Sequence, residues 1–301
     1  MATNSPKKAI LVTGATGKQG GATIDALLNA GALGQHRLLA VTRNPGSGAA
    51  KKLEAKGVKV IQGDFRDVPG IFSNAKAALG GTAIGKGASS ELEEVQGKAL
   101  VDAALSNKVK FFVYSSVDRG GERSFDNPTV VPHFISKHNV EHHLVDSART
   151  TDMQWTILRP TALMENFTPD FGTKVTATAW RVAVKEKPLQ LISIRDIGWF
   201  AAQAFMRPGD FAGRAISLAG DELTLSQANA VFKSKVGHEM PETFRFLARL
   251  LLWYSAEFGN MFRWFYTDCY GAEIKALKAE HPGLLSLSAW LDQSDWMKKS
   301  A

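Results

Sequence analysis

Short apolar runs and helical patterns alternate along the first 165 residues. The runs carry β-branched and aromatic residues at the density typical of buried strands, and they lie at 9–12, 36–42, 58–64, 111–115 and 155–159. The segments between them place apolar residues at helical spacing, at 21–29, 49–56, 67–79, 91–107 and 134–149. Strands that alternate with helices in this way predict an α/β fold built on a doubly wound parallel sheet.

One strand of this pattern is weak. A doubly wound sheet needs a strand between the helices predicted at 67–79 and 91–107, and the stretch available for it is 77–85. That stretch is rich in glycine and lacks the valine and phenylalanine of the other strands. Because branched and aromatic residues pack best on a sheet, we expect the fourth strand to be poor or shortened.

The glycines after the first strand give the strongest indication of function. Gly14, Gly17 and Gly20 follow the apolar run 9–12 and precede the helix at 21–29. A glycine-rich turn between a strand and a helix leaves backbone N–H groups and the positive end of the helix dipole facing an anion. The spacing therefore predicts a pyrophosphate site of the dinucleotide-binding type.

The ends of the second and third strands indicate which dinucleotide. Arg43 follows the second strand, at the position where NAD enzymes usually carry an acidic residue for the ribose 2′-hydroxyl. A basic residue there suits a 2′-phosphate and favours NADP(H). Asp64 and Phe65 follow the third strand, where the adenine is usually contacted at its edge and stacked.

After residue 165 the pattern becomes less regular. Strands are predicted at 189–192 and 214–218, helices at 194–205 and 226–236, and a helical, aromatic-rich segment from Pro241 onward. We predict an NADP-binding Rossmann domain over 1–165, to whose sheet 186–220 returns. The segments 166–185 and 221–301 are predicted to form a smaller, mostly helical lobe for a substrate or a partner.

The catalytic motif of short-chain dehydrogenases is incomplete. Those enzymes use Tyr-x-x-x-Lys, in which the lysine activates the tyrosine as a proton donor, and none of the four tyrosines has a lysine four residues later. His133 and Lys137 have this spacing instead. Either His133 exchanges the proton, as a histidine can near neutral pH, or it is a surface residue and Lys137 only binds the nicotinamide ribose.

Composition narrows the classes of partner. The single cysteine excludes an internal disulfide and fits a reducing compartment. The net charge is +7, but the basic residues are scattered, so we expect no direct nucleic-acid binding.

No apolar run is long enough to span a bilayer, and we expect no membrane partner. His138 and His142 lack a metal-ligand pattern. We expect a cytoplasmic protein without a metal, with nuclear access and oligomerisation left open.

Several motifs together resemble the NmrA-like family of atypical short-chain dehydrogenase relatives. They are Val12–Gly21, Val41–Pro45, Gln62–Asp64, His133-Phe134-x-x-Lys137, Glu165–Phe167 and Gly259–Arg263. The resemblance covers nearly the whole chain and implies a Rossmann domain, a preference for NADP and a C-terminal lobe. By that resemblance the cofactor contacts are Gly14, Ala15, Thr16, Gly17, Lys18, Gln19, Arg43, Asp64, Phe65, Lys137, Leu163, Met164, Glu165 and Asn166.

Two functions follow from the resemblance. The first is an NADPH-dependent oxidoreductase, which reduces a small apolar carbonyl, quinone or enone, with catalysis by Lys137 and His133. Fungal members of the family include such enzymes of secondary metabolism. The second is a non-catalytic NADPH sensor that reports to a regulatory protein. The missing tyrosine favours the sensor, whereas the candidate proton donor and the aromatic-rich segment favour the enzyme.

Overall fold

The computed structural model describes residues 7–78, 81–84 and 90–298. The strands are β1 Lys8–Val12, β2 His36–Thr42, β3 Lys59–Gln62, β4 Gly81–Ile84, β5 Phe111–Ser115, β6 Gln154–Pro160, β7 Ala162–Leu163, β8 Leu189–Ile192, β9 Arg214–Leu218 and β10 Asp221–Leu223. The helices of the first half are α1 Lys18–Asn29, α2 Gly48–Ala55, α3 Val68–Ala78, α4 Ser90–Ser106 and α5 Pro132–Ala148. Those of the second half are α6 Phe171–Ala179, α7 Ile194–Met206, α8 Pro208–Phe211, α9 Leu225–Val236, α10 Arg245–Tyr254, α11 Ala256–Thr267, α12 Ile274–Glu280, α13 Leu287–Leu291 and α14 Asp295–Lys298.

The first sheet has the order β3-β2-β1-β4, and all its strands run parallel. Strand β1 is central and buried from Ala9 onward, as expected when helices cover both faces of a parallel sheet. The fourth strand is present as four residues, with Ala9 opposite Gly81 and Val12 opposite Ile84. It is as short as the sequence predicted, and residues 79–80 and 85–89 beside it lie outside the described ranges.

Two further sheets of three strands complete the fold. One has the order β5-β6-β9, with β5 and β6 parallel. The other has the order β10-β8-β7, in which β8 is parallel to β7 and antiparallel to β10. Segment 186–220 therefore divides between the two sheets, since Arg214–Leu218 joins β6 whereas Leu189–Ile192 joins β7 and β10. With its parallel sheets, flanking helices and helical C-terminal part, the protein has a Rossmann-like α/β fold.

The chain divides into two compact units. Unit 1 contains residues 1–116, 139–158 and 197–216, and unit 2 contains residues 117–138, 159–196 and 217–301. Residues 117–138 and 159–165, which belong to the predicted nucleotide-binding domain 1–165, lie in unit 2. The assignment of cofactor and substrate roles to separate domains stays a prediction.

Each unit has its own hydrophobic core. The core of unit 1 joins the sheet to its helices and includes Leu11, Leu39, Val41, Ile71, Phe72, Leu100, Phe112, Val140, Leu144 and Ile157. The core of unit 2 is dominated by aromatic rings, among them Phe134, Phe167, Trp180, Phe232, Phe262, Trp264, Trp290 and Trp296. Among the described residues, no helix combines the length and the apolarity needed to cross a membrane.

A buried carboxylate ties two distant segments of unit 2 together. Asp118 is fully buried, and its oxygens accept hydrogen bonds from the backbone N–H groups of Gly120 at 2.9 Å, Gly121 at 2.9 Å and Gly271 at 3.0 Å. Removing an acceptor leaves buried donors unsatisfied, at about 1–3 kcal/mol for each group. Asp118 therefore joins the loop after β5 to the segment before α12.

We expect the substitution Asp118→Ala to lower the free energy of unfolding by about 3 kcal/mol, because three N–H groups lose their acceptor. Urea unfolding followed by circular dichroism measures the change. Asp152→Ala is the control, because Asp152 is an exposed carboxylate paired with Lys110, and exposed pairs contribute about 0–1 kcal/mol. Equal losses in the two variants would contradict the assigned role.

Candidate functional site

The turn between β1 and α1 is closed by its glycines. Gly14 has a φ of +59°, in the left-handed region that disfavours a side chain, and its carbonyl accepts the N–H of Gly17 at 2.9 Å. A Cβ atom on Gly20 would lie 2.4 Å from that same carbonyl oxygen. The first turn of α1 can therefore approach the end of β1 closely, and it presents N–H groups that have no acceptor within the helix.

A cavity of about 870 Å³ opens in front of this turn, within unit 1. It lies at the carboxyl ends of β1, β2 and β3, where open parallel sheets bind their ligands. Six of the predicted cofactor residues line it, namely Gly14, Thr16, Gly17, Arg43, Asp64 and Phe65. The structure thus brings together residues that are separated by up to about 50 positions in the sequence.

The other predicted residues of the turn lie beside this cavity. Lys18 and Gln19 line a smaller cavity of about 60 Å³, together with Ser115 at the end of β5. The hydroxyl of Ser115 donates to Oε1 of Gln19 at 3.0 Å. Ala15 is buried, and its N–H donates to the carbonyl of Val41 at 3.3 Å. These contacts attach the turn to its neighbouring strands.

Charged side chains cluster at the edge of the large cavity. Arg66 clamps Asp64, with Nη2 at 2.7 Å from Oδ2 and Nε at 3.1 Å from Oδ1. These hydrogen bonds, assisted by the positive charges of Arg66 and Arg43, lower the pKa of Asp64 to about 2. Asp64 is therefore ionised throughout the neutral range. Arg43 is exposed and makes no direct ion pair within the described ranges, so its guanidinium is available to a ligand.

Arg66 was missed in the sequence analysis. It lines both the large cavity and an adjoining one of about 420 Å³, which it shares with Arg43, Asp64 and Asp67. The carboxylate of Asp67 accepts the N–H of Gly70 at 3.0 Å, at the start of α3. The sequence offers one indication of this role: Asp64 and Arg66, two residues apart, follow the end of a strand.

Gln96 was also missed. This α4 side chain is 8% exposed and lines the large cavity. Its Oε1 atom has no hydrogen-bond partner among the described residues, whereas buried amide oxygens are normally satisfied. One glutamine in a helix carries no sequence signal that distinguishes it from a structural residue.

The candidate catalytic pair lies in unit 2. His133 and Lys137 are one turn apart on α5 and therefore share a helix face. Nδ1 of His133 lies 2.9 Å from Oε1 of Glu257 on α11, and Lys137 is half-buried. The structure describes this pair and the glycine turn in different units, so a joint catalytic role for them stays a prediction.

None of the four tyrosines gains the usual activation from a lysine four residues later. Tyr270 is half-buried, with its ring beside Trp264 and Phe265, and desolvation of its hydroxyl raises its pKa well above the ordinary value. Burial likewise raises the pKa of the Cys269 thiol to about 11. Both groups are therefore protonated at neutral pH and lack the lowered pKa of an activated catalytic group.

The segment Leu163–Asn166, expected near the cofactor by resemblance, lies in unit 2. The carboxylate of Glu165 accepts the backbone N–H of Ile194 at the start of α7 at 3.1 Å, and the indole N–H of Trp290 at 3.0 Å. Met164 is fully buried, whereas Asn166 is exposed. The side chain of Glu165 therefore holds three segments of unit 2 together, and the cofactor role of this stretch stays a prediction.

The model of the NmrA-like family matches residues 6–282 of the chain. The chain belongs to the NmrA-like family. This NmrA-like protein is 28% identical over 271 aligned residues to notA′, an NmrA-like family domain-containing oxidoreductase of Aspergillus versicolor. That alignment covers 81% of this chain and 72% of the relative.

Solved structures share the fold of this NmrA-like protein. An NADPH-dependent quinone oxidoreductase from Escherichia coli, crystallised with NADPH, has a TM-score of 0.70 and 22% identity, covering 94% of this chain and 99% of that one. NmrA, a negative transcriptional regulator crystallised with NAD, has a TM-score of 0.67 and 18% identity, covering 97% and 100%. At these identities the likeness is evidence for the fold alone.

Proposed function

We propose that this NmrA-like protein binds NADP(H) and uses NADPH to reduce a small apolar carbonyl, quinone or enone. The observation that carries the proposal is the cavity of about 870 Å³, which joins the glycine turn to the exposed Arg43. The turn supplies N–H groups for a pyrophosphate, and Arg43 supplies a cation suited to a 2′-phosphate.

The residues present fit a dinucleotide. A Cβ atom on Gly20 would clash with the turn. Glycine at this position therefore lets the start of α1 lie close to the backbone of the turn. Phe65 and the unpartnered oxygen of Gln96 line the same cavity, which suits a flat base with a hydrogen-bond donor. The fungal relative is named an oxidoreductase and the bacterial structure an NADPH-dependent quinone oxidoreductase. Both names support a reductase function for this protein.

Bound NADPH supplies a hydride at its nicotinamide ring. We assign Lys137 to the ribose of that nicotinamide, and His133 to the transfer of a proton to the acceptor. Glu257, 2.9 Å from His133, forms an ion pair with the imidazole when the ring is protonated. The proton donor would then carry its proton in a fixed orientation.

The second candidate function is an NADPH sensor that binds a regulatory protein without turnover. The sequence lacks Tyr-x-x-x-Lys, and the half-buried Tyr270 has a raised pKa instead of a lowered one. The structural likeness to the regulator NmrA is compatible with this function. The two functions share the nucleotide site and differ in whether the hydride leaves it.

NADPH oxidation by the purified protein against a panel of quinones, enones and imines separates the two functions. We expect turnover with at least one acceptor, and a fall in kcat of about 100-fold in His133→Ala, the usual scale of general acid catalysis. Lys137→Ala should weaken NADPH binding and turnover together. His238→Ala and Lys174→Ala replace exposed residues of the same types elsewhere in unit 2 and should retain full activity.

Three results would each contradict a part of this proposal. Tight NADPH binding without oxidation across the panel would assign the protein to the sensor class. Turnover that survives in both His133→Ala and Lys137→Ala would keep the reductase but reject this pair as its catalytic residues. Failure to bind NADPH at all would remove the basis of both functions.

A further inference from the structure

Helix α10 and the residue before it expose an unusual amount of apolar surface. Phe244 is 70% exposed, Trp253 80% and Tyr254 82%. Four more large apolar side chains of the same segment are exposed, namely Phe246, Leu247, Leu250 and Leu251. We call residues 244–254 the α10 surface. Soluble proteins rarely expose a continuous apolar area of this kind unless it binds something.

The exposure follows the geometry of the helix. Ala248 is buried and marks the face that packs against the rest of unit 2. Phe246, Leu250 and Trp253 are spaced by four and three residues, so they form one stripe, and all three are more than half exposed. An ordinary surface helix exposes mainly polar residues, whereas this helix also exposes a stripe of large apolar side chains.

The charges of the α10 surface are all positive. Arg245 and Arg249, one helical turn apart, are exposed, and the segment 244–254 contains no aspartate or glutamate. The nearest acidic residues along the chain already lie against side chains outside this surface. Glu242 is 2.6 Å from the guanidinium of Arg181, and Glu257 is 2.9 Å from His133. The surface therefore attracts anions, in a chain whose net charge is +7.

These properties select one class of occupant. A second copy of the chain would place Arg245 and Arg249 against the same cations, with no acidic residue of the segment to balance them. An anionic phospholipid bilayer offers phosphates to the arginines and an apolar layer to the leucines and aromatic rings. Tryptophan and tyrosine are also the residues that concentrate at the level of lipid headgroups.

We propose that the α10 surface docks this protein onto an anionic phospholipid bilayer. A ten-residue helix is about 15 Å long, half of the thickness of the hydrocarbon core, so it lies in the interface and does not cross it. The short apolar runs of the sequence argue against a spanning segment but not against a helix that lies in the interface. The proposal does not depend on the proposed reductase function, although an apolar acceptor would be concentrated in the same bilayer.

Vesicle co-sedimentation of the full chain tests the proposal. We expect binding to phosphatidylcholine vesicles that contain about one third phosphatidylserine, because each basic residue near such a surface contributes about a fivefold gain. The double variant Arg245→Gln/Arg249→Gln should lose about 30-fold in partitioning. Trp253→Ser/Tyr254→Ser should lose at least about tenfold, since its rings no longer insert.

A matched control removes the same charge elsewhere. Lys51 and Lys52 are exposed on α2 in unit 1, and Lys51→Gln/Lys52→Gln should bind the vesicles as the unchanged protein does. Equal losses in the two charge variants would overturn the docking site, because the attraction would then be a property of the whole chain. All variants replace exposed residues, and an unchanged thermal midpoint establishes that they fold.

Two further results would overturn the proposal. One is the absence of binding by the unchanged protein to the mixed vesicles at low salt. The other is a stable dimer in sedimentation that dissociates in Trp253→Ser/Tyr254→Ser without any vesicle binding, which would assign the α10 surface to a second copy of the chain.

Discussion

Arg43→Asp will weaken NADPH binding by about 100-fold, the scale expected when a charge-assisted contact is replaced by repulsion. NADH binding will change little, because a carboxylate at this position can accept the ribose 2′-hydroxyl. The reason lies in the geometry of the cavity, where Arg43 is exposed and adjacent to the ionised Asp64. In the variant, a 2′-phosphate would face the introduced carboxylate beside Asp64, while Arg66 is already engaged by Asp64. Fluorescence titration with both nucleotides measures the two affinities.

Lys59→Asp provides the control for this charge reversal. Lys59 is exposed at the amino end of β3, whereas the cavity lies at the carboxyl ends of the strands. The same change in net charge should therefore leave the ratio of NADPH to NADH affinity unaltered. Equal losses of both nucleotides in Arg43→Asp would contradict a contact with the 2′-phosphate, and would indicate damage to the site as a whole.

Gly20→Ala will abolish measurable NADPH binding, with a loss of at least about 100-fold, and will destabilise the protein by about 1–3 kcal/mol. The added Cβ atom would lie 2.4 Å from the carbonyl oxygen and 2.7 Å from the carbonyl carbon of Gly14, and 3.0 Å from Cα of Ala15. All three are backbone atoms, which cannot rotate away as a side chain can. The turn has to open, and its N–H groups then no longer converge.

NADPH titration and thermal unfolding measure the two effects of Gly20→Ala. Gly48→Ala is the matched control, because a Cβ atom at this position of α2 meets no atom within 4 Å. That variant should bind NADPH normally and be as stable as the unchanged protein or slightly more so, since alanine restricts the unfolded chain. Normal NADPH binding by Gly20→Ala would refute the assignment of the turn to the pyrophosphate.

The elements of unit 1 could be predicted because their signals are local. Strand β2 was predicted with the bounds that the structure shows, and α1 begins three residues earlier than predicted. The glycine turn could be predicted from a spacing within seven residues. Its neighbours in the cavity could be predicted because the carboxyl ends of parallel strands lie at the same edge of a sheet. The NmrA-like resemblance and the α/β fold are confirmed.

The parts that could not be predicted depend on contacts between distant residues. Strands β7 and β10 have two and three residues, too few for a periodic signal, and they are defined by pairing with β8. The bond between Asp118 and Gly271 joins positions 153 residues apart. The clamp of Arg66 on Asp64 is local, but its place at the cavity depends on three strands and could not be inferred from spacing alone.

The interleaved order of the two units constrains how the protein is made. The chain passes between the units five times, and the last segment of unit 1 is residues 197–216. During synthesis on the ribosome, the nucleotide cavity can form early, but the unit that contains it remains incomplete until residue 216 has emerged. Most of unit 2, residues 217–301, has then not yet emerged. A fragment ending at residue 165 would lack the last segment of unit 1, residues 197–216, so neither unit can be obtained by cutting the gene at a single point.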